Sequence, residues 1–422
     1  MALSRRKFLT NAGIAGGGLA IGGIGGFVAA QDESTANAAA APAGTGVVPF
    51  HGKYQAGIIT PQQDRLHFAS FDVITKDKQQ IRDMLIAWTA ASARMTQGDS
   101  AAPEESSVYS PPADTGEALG LAPSRLTITI GFGPTLFKQN GKDRFGLASQ
   151  MPAALKPLPA LPADELNEAI SNGDICVQAC SDDPQTAFHA VRNLARIGRG
   201  TVAMRWSQLG FGRTSSTSSE QETPRNLLGF KDGTNNIKGE EGPKVLDEQL
   251  WVQPGDGADW MTNGSYVVTR RIRMLIEVWD RGSLNTQEDT IGRKKVSGAP
   301  QTGMKEHDKP DYEAHAPGGK PLIPADAHIR HAAPENNKGI RMLRRGYSFT
   351  DGFDPQLGQL DAGLFFIAYQ RNPHEQFVPI QTRLGKNDAL NEYIIHRSSA
   401  LFAVPPGVPD QKGRFVGDSL FS

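Results

Sequence analysis

Asp174-Ile175-Cys176-Val177-Gln178-Ala179-Cys180 reads as a β-strand, and what flanks it decides the fold class. The strand runs from Gly173 to Ser181, Pro184 to Ile197 has helical spacing, and Val202 to Leu209 returns to strand character. Upstream, Tyr54 to Val73 reads as a strand, with His67-Phe68-Ala69-Ser70-Phe71-Asp72-Val73 alternating apolar and polar. Lys78 to Thr96 then carries Ile81, Met84, Leu85, Trp88 and Ala91 on one helical face. A Pro/Ser/Ala-rich loop, Ser100 to Ala113, leads to the strand Leu126-Thr127-Ile128-Thr129-Ile130-Gly131. Strand, helix, strand, strand, helix, strand is the split βαβ order of ferredoxin-like folds.

A comparable set follows. Ser265 to Val278 is predicted as a strand, Thr286 to Lys294 as a short helix, and Arg341 to Tyr347 and Leu364 to Tyr369 as strands. Phe377 to Ile394 is predicted as a helix and Ala400 to Val404 as the closing strand. The residues show no internal repeat, so the duplication rests on element order. The expectation is an α+β protein of two ferredoxin-like units, 53–215 and 216–422, set side by side as one barrel-like body.

Ahead of them, Ser4-Arg5-Arg6-Lys7-Phe8-Leu9 is a twin-arginine pattern, and Ala12 to Ala30 is a weakly apolar, uncharged Gly/Ala-rich run. Residues 1–40 are expected to be a cleavable signal and 41–52 a linker. Val28-Ala29-Ala30 and Ala36-Asn37-Ala38-Ala39-Ala40 both offer small residues for cleavage. This reading implies export by the twin-arginine machinery, to the periplasm, cell envelope or exterior, of a protein folded around its cofactor.

Composition narrows the partners. The 422 residues carry 44 basic and 45 acidic side chains, a formal net charge of -1 that gives no field for nucleic acid. Cys176 and Cys180 are the only cysteines. Four residues apart on a strand they lie roughly 13 Å from each other, beyond disulfide reach, so buried thiols are expected. Covalent c-type haem attachment would need Cys-x-x-Cys-His, which is absent, and two thiols without a histidine pair argue against structural zinc.

Chemistry concentrates in the second unit. Gly229-Phe230-Lys231-Asp232-Gly233-Thr234-Asn235-Asn236 sets one carboxylate between two glycines, beside a hydroxyl and two amides, after the polar run Ser215 to Ser219. Glycine admits turns and close approaches, so Asp232 can be held against a bulky planar partner. His328, in Ala327-His328-Ile329-Arg330-His331, offers an imidazole able to ligate a haem iron from one side. Met342-Leu343-Arg344-Arg345-Gly346-Tyr347 brings two cations into an apolar strand, where only one can face inward. Leu364 and Phe366 share a face that can wall a flat apolar cavity.

Together these segments resemble the dye-decolorising peroxidases, over about Gln55 to Pro406 and in the family's motif order; the chain is similar to their exported, EfeB-like subgroup. The resemblance implies one non-covalent haem b per chain, hydrogen peroxide as oxidant and a small aromatic reducing substrate. By the same resemblance His328 is the proximal iron ligand, Asp232 the distal acid/base and Arg344 the distal arginine. Asn236 and Arg330 would make polar contacts to haem or distal water, and Leu364 and Phe366 would line the pocket. Asp388, in Gly385-Lys386-Asn387-Asp388-Ala389, is the carboxylate expected on the proximal imidazole; a solvated helix charge is its competing reading. His331 is the rival to His328, expected to face away if the segment is extended. A deferrochelatase-like haem or iron handling role beside an iron-uptake permease is the alternative, and a homo-oligomer is left open.

Such chemistry needs these residue types. Heterolysis of peroxide requires a base for one proton and an acid to deliver it to the departing oxygen, and one carboxylate can do both. Desolvation opposes a charge on Asp232 and the Arg344 cation favours it, while Arg344 also balances charge as the O–O bond breaks.

Overall fold

A computed structural model describes residues 46–103, 108–355 and 357–421. The twin-arginine stretch and both cleavage candidates lie outside the described residues. The first strand–helix set comprises β1 (Arg65–Val73), α1 (Lys78–Met95), β2 (Thr127–Phe132), β3 (Ile175–Ser181), α2 (Pro184–Ile197) and β4 (Val202–Arg213). The second comprises β5 (Ser265–Met274), α3 (Leu284–Ile291), α4 (His328–Ala332), β6 (Leu343–Arg344), β7 (Tyr347–Asp354), β8 (Gln359–Gln370), α5 (Phe377–Asn387) and β9 (Ile394–Val404).

Local signals set the helix ends. Asp183 accepts from Thr186 N at 2.8 Å as N-cap, Pro184 occupies the first turn where its missing N–H costs nothing, and Gly198 ends α2. Asp77 does the same for α1, accepting from Gln79 N at 2.8 Å.

The strands run β5-β9-β2-β3-β1-β4-β7-β8-β6, and a further β5–β8 pairing closes the sheet on itself, with β6 as an appendage on β8. Each set contributes four strands in the order fourth, first, third, second, the ferredoxin-like arrangement, and all pairings between these strands are antiparallel. The seams between sets are short. β9 meets β2 through Ala403↔Phe132, and β4 meets β7 through Phe211↔Ser348 and Arg213↔Tyr347. Closure leaves few open strand edges.

One face of the sheet packs on helices and the other fills the barrel. On the outside, α1 and α2 cover the first four strands; Trp88 stacks edge-on against Phe71 at 5.5 Å and donates Nε1 to Leu194 O at 2.8 Å. Inside, Phe68 of β1 meets Phe365 of β8 at 5.4 Å and Phe402 of β9 at 6.2 Å, rings from strands that are not sheet neighbours. Cys176 and Cys180 belong to this interior as free buried thiols.

Several boundaries differ from expectation. Residues 54–64 are not strand; long-range side-chain bonds hold them, such as Gln55 Nε2 to Ile130 O and Pro405 O at 2.9 Å. β5 stops at Met274, and the chain turns into the one-turn helix Ile276–Trp279. The predicted 377–394 helix breaks at Asn387, and β9 begins at Ile394, six residues early. The polar run Thr214 to Ser218 is buried; Thr217 Oγ1 donates to Thr60 O at 2.8 Å, and Ser216 O accepts from Asn236 Nδ2 at 3.0 Å.

Two buried histidines make the fold acid-sensitive. Burial lowers His67 to about 4 and, with Arg270 nearby, His396 to about 3, so both rings are neutral in the folded protein. The unfolded chain takes up protons below about pH 6.5 while the folded chain does not until pH falls to those values. Stability is therefore expected to fall between pH 7 and pH 5 by about 2 kcal/mol per ring, and urea midpoints at the two pH values check this.

Candidate active site

Asp232 is presented by a small hairpin. Arg225 and Lys231 bridge, Asn226 N donates to Phe230 O at 3.1 Å, and the turn closes through Gly229 at φ 83°. Phe230 anchors it, packing edge-on against Trp279 at 5.9 Å. Gly233 follows at φ 89°, where an added Cβ would meet Ser215 Cα at 3.0 Å, so the chain at this point tolerates no side chain. The hairpin turn is Asn226–Gly229, and Asp232-Gly233 is its exit.

Arg344 Nη1 donates to Asp232 Oδ1 at 2.9 Å, and Asn226 Nδ2 donates to Oδ2 at 3.2 Å. Alternation along β6 puts Leu343 and Arg345 on the barrel side and Arg344 on the other. Arg345, 0% exposed, donates to the carbonyls of Ile58 and Thr60 and to Gln63 Oε1, pinning the segment ahead of β1. Asn236 is spent on backbone: its Oδ1 accepts from Arg344 N at 2.7 Å, and its Nδ2 donates to Arg344 O at 2.8 Å and Ser216 O at 3.0 Å. It therefore positions Arg344 from behind.

His328 opens the short helix α4, and the rest of its setting comes from the end of α5. Asp388 Oδ1 accepts from Leu390 N at 2.9 Å, capping the turn Ala389–Glu392, while Oδ2 lies 2.6 Å from His328 Nδ1. The carboxylate side chain is 2% exposed, so it is no surface charge. Burial opposes charge on the His328 ring; the Asp388 charge and hydrogen bond outweigh it, Asp232 adds and Arg344 subtracts, and the ring stands above its ordinary pKa. Those last influences place His328 within electrostatic range of the Asp232–Arg344 pair. Nε2 of His328 is left for another partner.

The segment carrying His328 is helical, contrary to the extended geometry expected, so His331 sits three residues on along one helix. Its Nε2 is buried without a hydrogen bond, and burial lowers its pKa. Arg330 is committed to the preceding loop, donating Nε to Pro324 O at 3.2 Å and Nη2 to Tyr312 O at 2.5 Å and Ile323 O at 3.0 Å. Leu364 and Phe366 are half-buried on the face of β8 opposite the buried Phe365 and Ile367.

Sequence reading missed Asn226, the second hydrogen-bond donor to Asp232, and Glu306, which brackets the loop by bonding Lys231 and, at 3.2 Å, Thr234 Oγ1. Asn226 precedes Asp232 by six residues and only the hairpin brings them together.

The barrel of two ferredoxin-like sheets thus carries a histidine–aspartate couple and an arginine–aspartate pair. Family models give the class: residues 55–212 match "Dyp-type peroxidase, N-terminal" and 223–409 match "Dyp-type peroxidase, C-terminal". The chain belongs to the Dyp-type peroxidase family and is a haem peroxidase. It is 40% identical over 372 residues to the deferrochelatase of Escherichia coli strain K12, covering 87% of this chain and 86% of that one. It is 38% identical to the deferrochelatase of Yersinia pseudotuberculosis over 423 residues, 99% and 94% of the two chains. Among solved structures, DtpA from Streptomyces lividans, in an oxyferrous/water complex, superposes with a TM-score of 0.80 at 40% identity, covering 89% of this chain and 98% of that one. The DyP-type peroxidase of Cellulomonas bogoriensis gives 0.78 at 39%, over 90% and 100%.

Proposed function

We propose that the protein reduces hydrogen peroxide and oxidises phenols, dyes or similar small aromatic donors; His328 Nε2 would hold the haem iron, and Asp232 and Arg344 would serve peroxide cleavage. The observation that carries this reading is the engagement of His328 Nδ1 by Asp388 at 2.6 Å, which fixes the ring and directs Nε2 away. The other residues fit the group: half-buried Leu364 and Phe366 offer apolar wall, and the half-buried Asp232–Arg344 pair offers a carboxylate and a guanidinium. Bound haem supplies the iron at which peroxide is cleaved and the oxidising equivalents passed to the donor.

The chain's own groups handle the protons. Asp232, beside Arg344, would accept a proton from hydrogen peroxide and return it to the oxygen that departs as water. Arg344 balances negative charge on the breaking O–O bond, and its fixed charge makes that help independent of working pH. Asn226 and Asn236 keep the two groups in register, one on the carboxylate and the other on the arginine backbone. Asp388 would raise the donor strength of His328.

A second reading, favoured by the name of the enterobacterial relatives, is deferrochelatase activity, in which iron leaves haem and the porphyrin stays whole. One experiment separates the two. The holoprotein is mixed with one equivalent of hydrogen peroxide and then a phenol. A spectrum that changes within the mixing time and returns on adding the phenol is expected of the peroxidase. Slow growth of free-protoporphyrin fluorescence without donor oxidation would favour the alternative.

A further inference from the structure

We propose that one end of the barrel is a binding site for a small hydroxylated aromatic carboxylate. At this end β4, β5, β7, β8 and β9 border a cavity of ≈ 320 Å³. That volume lies at the small end of the ~300–1,000 Å³ usual for ligand pockets. Trp206 and Phe365 form its apolar side, their rings 6.2 Å apart and edge-on. Phe365 points to the opposite face of β8 from Leu364 and Phe366, so this cavity is separate from the His328 site.

The hydrogen bonds around the cavity are out of balance in a way that describes a ligand. Arg271 lies over the Phe349 ring at 4.1 Å, donating Nε to Gln208 Oε1 at 2.9 Å and Nη2 to Asp351 at 2.8 Å and Asp361 at 2.9 Å. Its Nη1 makes no hydrogen bond among the described residues. Arg273 donates to Asp354 Oδ2 at 2.8 Å, and its Nε is buried without a partner although the side chain is only 9% exposed. Arg397 reaches only Glu165, at 3.5 Å. Guanidinium N–H groups are thus in surplus. In the other direction, Asp361 Oδ1 is buried and accepts nothing.

A buried donor or acceptor left unmet is costly, so an occupant that meets both needs is favoured. A carboxylate answers the arginines through charge-assisted, potentially bidentate bonds. A hydroxyl answers Asp361. An aromatic ring between the two uses the Trp206 and Phe365 faces. Inorganic phosphate would leave that apolar side unused, and a metal cation would have to displace arginines already paired with the three aspartates.

The test is calorimetric titration of the purified holoprotein with 4-hydroxybenzoate, benzoate and phenol. Expected are one site per chain, tightest binding of 4-hydroxybenzoate, at least tenfold weaker binding of phenol, and no change when cyanide saturates the haem. Arg397→Gln alters a side chain that is 39% exposed, so the fold tolerates it, and is expected to weaken 4-hydroxybenzoate at least tenfold. No saturable heat, equal affinity for phenol, unchanged affinity in Arg397→Gln, or competition by cyanide would each overturn the assignment.

Discussion

His328→Ala is expected to give a folded protein that purifies without haem. The substitution removes an imidazole whose Nδ1 lies 2.6 Å from a buried carboxylate and whose Nε2 has no hydrogen bond among the described residues. His331, three residues on along the same helix, is not held by Asp388 through a hydrogen bond and is not expected to replace His328. The fold survives because α4 is five residues long and lies outside the barrel, while the Asp388 carboxylate keeps its bond to Leu390 N. Leaving Asp388 without its charged or hydrogen-bonding partner costs a few kcal/mol by the usual measure for buried carboxylates, which a body of this size tolerates. Haem content per chain and far-ultraviolet circular dichroism check both halves of the statement. Stoichiometric haem with an unchanged spectrum would move the ligand elsewhere.

Asp232→Asn and Arg344→Leu are expected to keep haem and to lose the fast reaction with peroxide. Asparagine has nearly the shape of aspartate and retains the bonds from Arg344 and Asn226 in altered form, but it takes up no proton; a loss of ~10²–10⁴ in rate is the usual weight of a positioned general base. Leucine at 344 removes the charge that balances the breaking bond, a loss of ~10²–10³, and leaves Asp232 with Asn226 alone. Because each group positions the other, the double variant should lose much less than the product of the single losses. Stopped-flow spectroscopy at fixed peroxide measures all three. Full reactivity in both single variants would assign the proton transfer to another group.

What the sequence disclosed follows from the range of the forces involved. α2 is read end to end because Asp183, Pro184 and Gly198 are local signals. The break in α5 is not, because what ends it is the Asp388 side chain turning to cap Leu390 and meet His328, sixty residues away. Arg344 and Arg345 were separable by strand alternation, yet the partners of Arg345 at Ile58, Thr60 and Gln63 belong to the other half of the chain. Asn236 was visible as a polar residue near Asp232, but its turn toward the Arg344 backbone depends on a contact across 108 positions. Closure of the barrel through β2–β9 and β4–β7 left no mark in composition or period, since a seam of one or two residue pairs constrains little sequence.

The circular order of the strands has a consequence for how the molecule comes into being. β9 is the last strand in the chain, and it is the one that joins β5 to β2. Until that strand is in place the wall has a gap between β5 and β2, and Asp388 lies only six residues ahead of the strand's first residue, Ile394. Asp388, which holds the His328 ring, thus sits on the short connection between α5 and the closing strand. The His328 ring is therefore expected to be fixed only as the barrel wall closes.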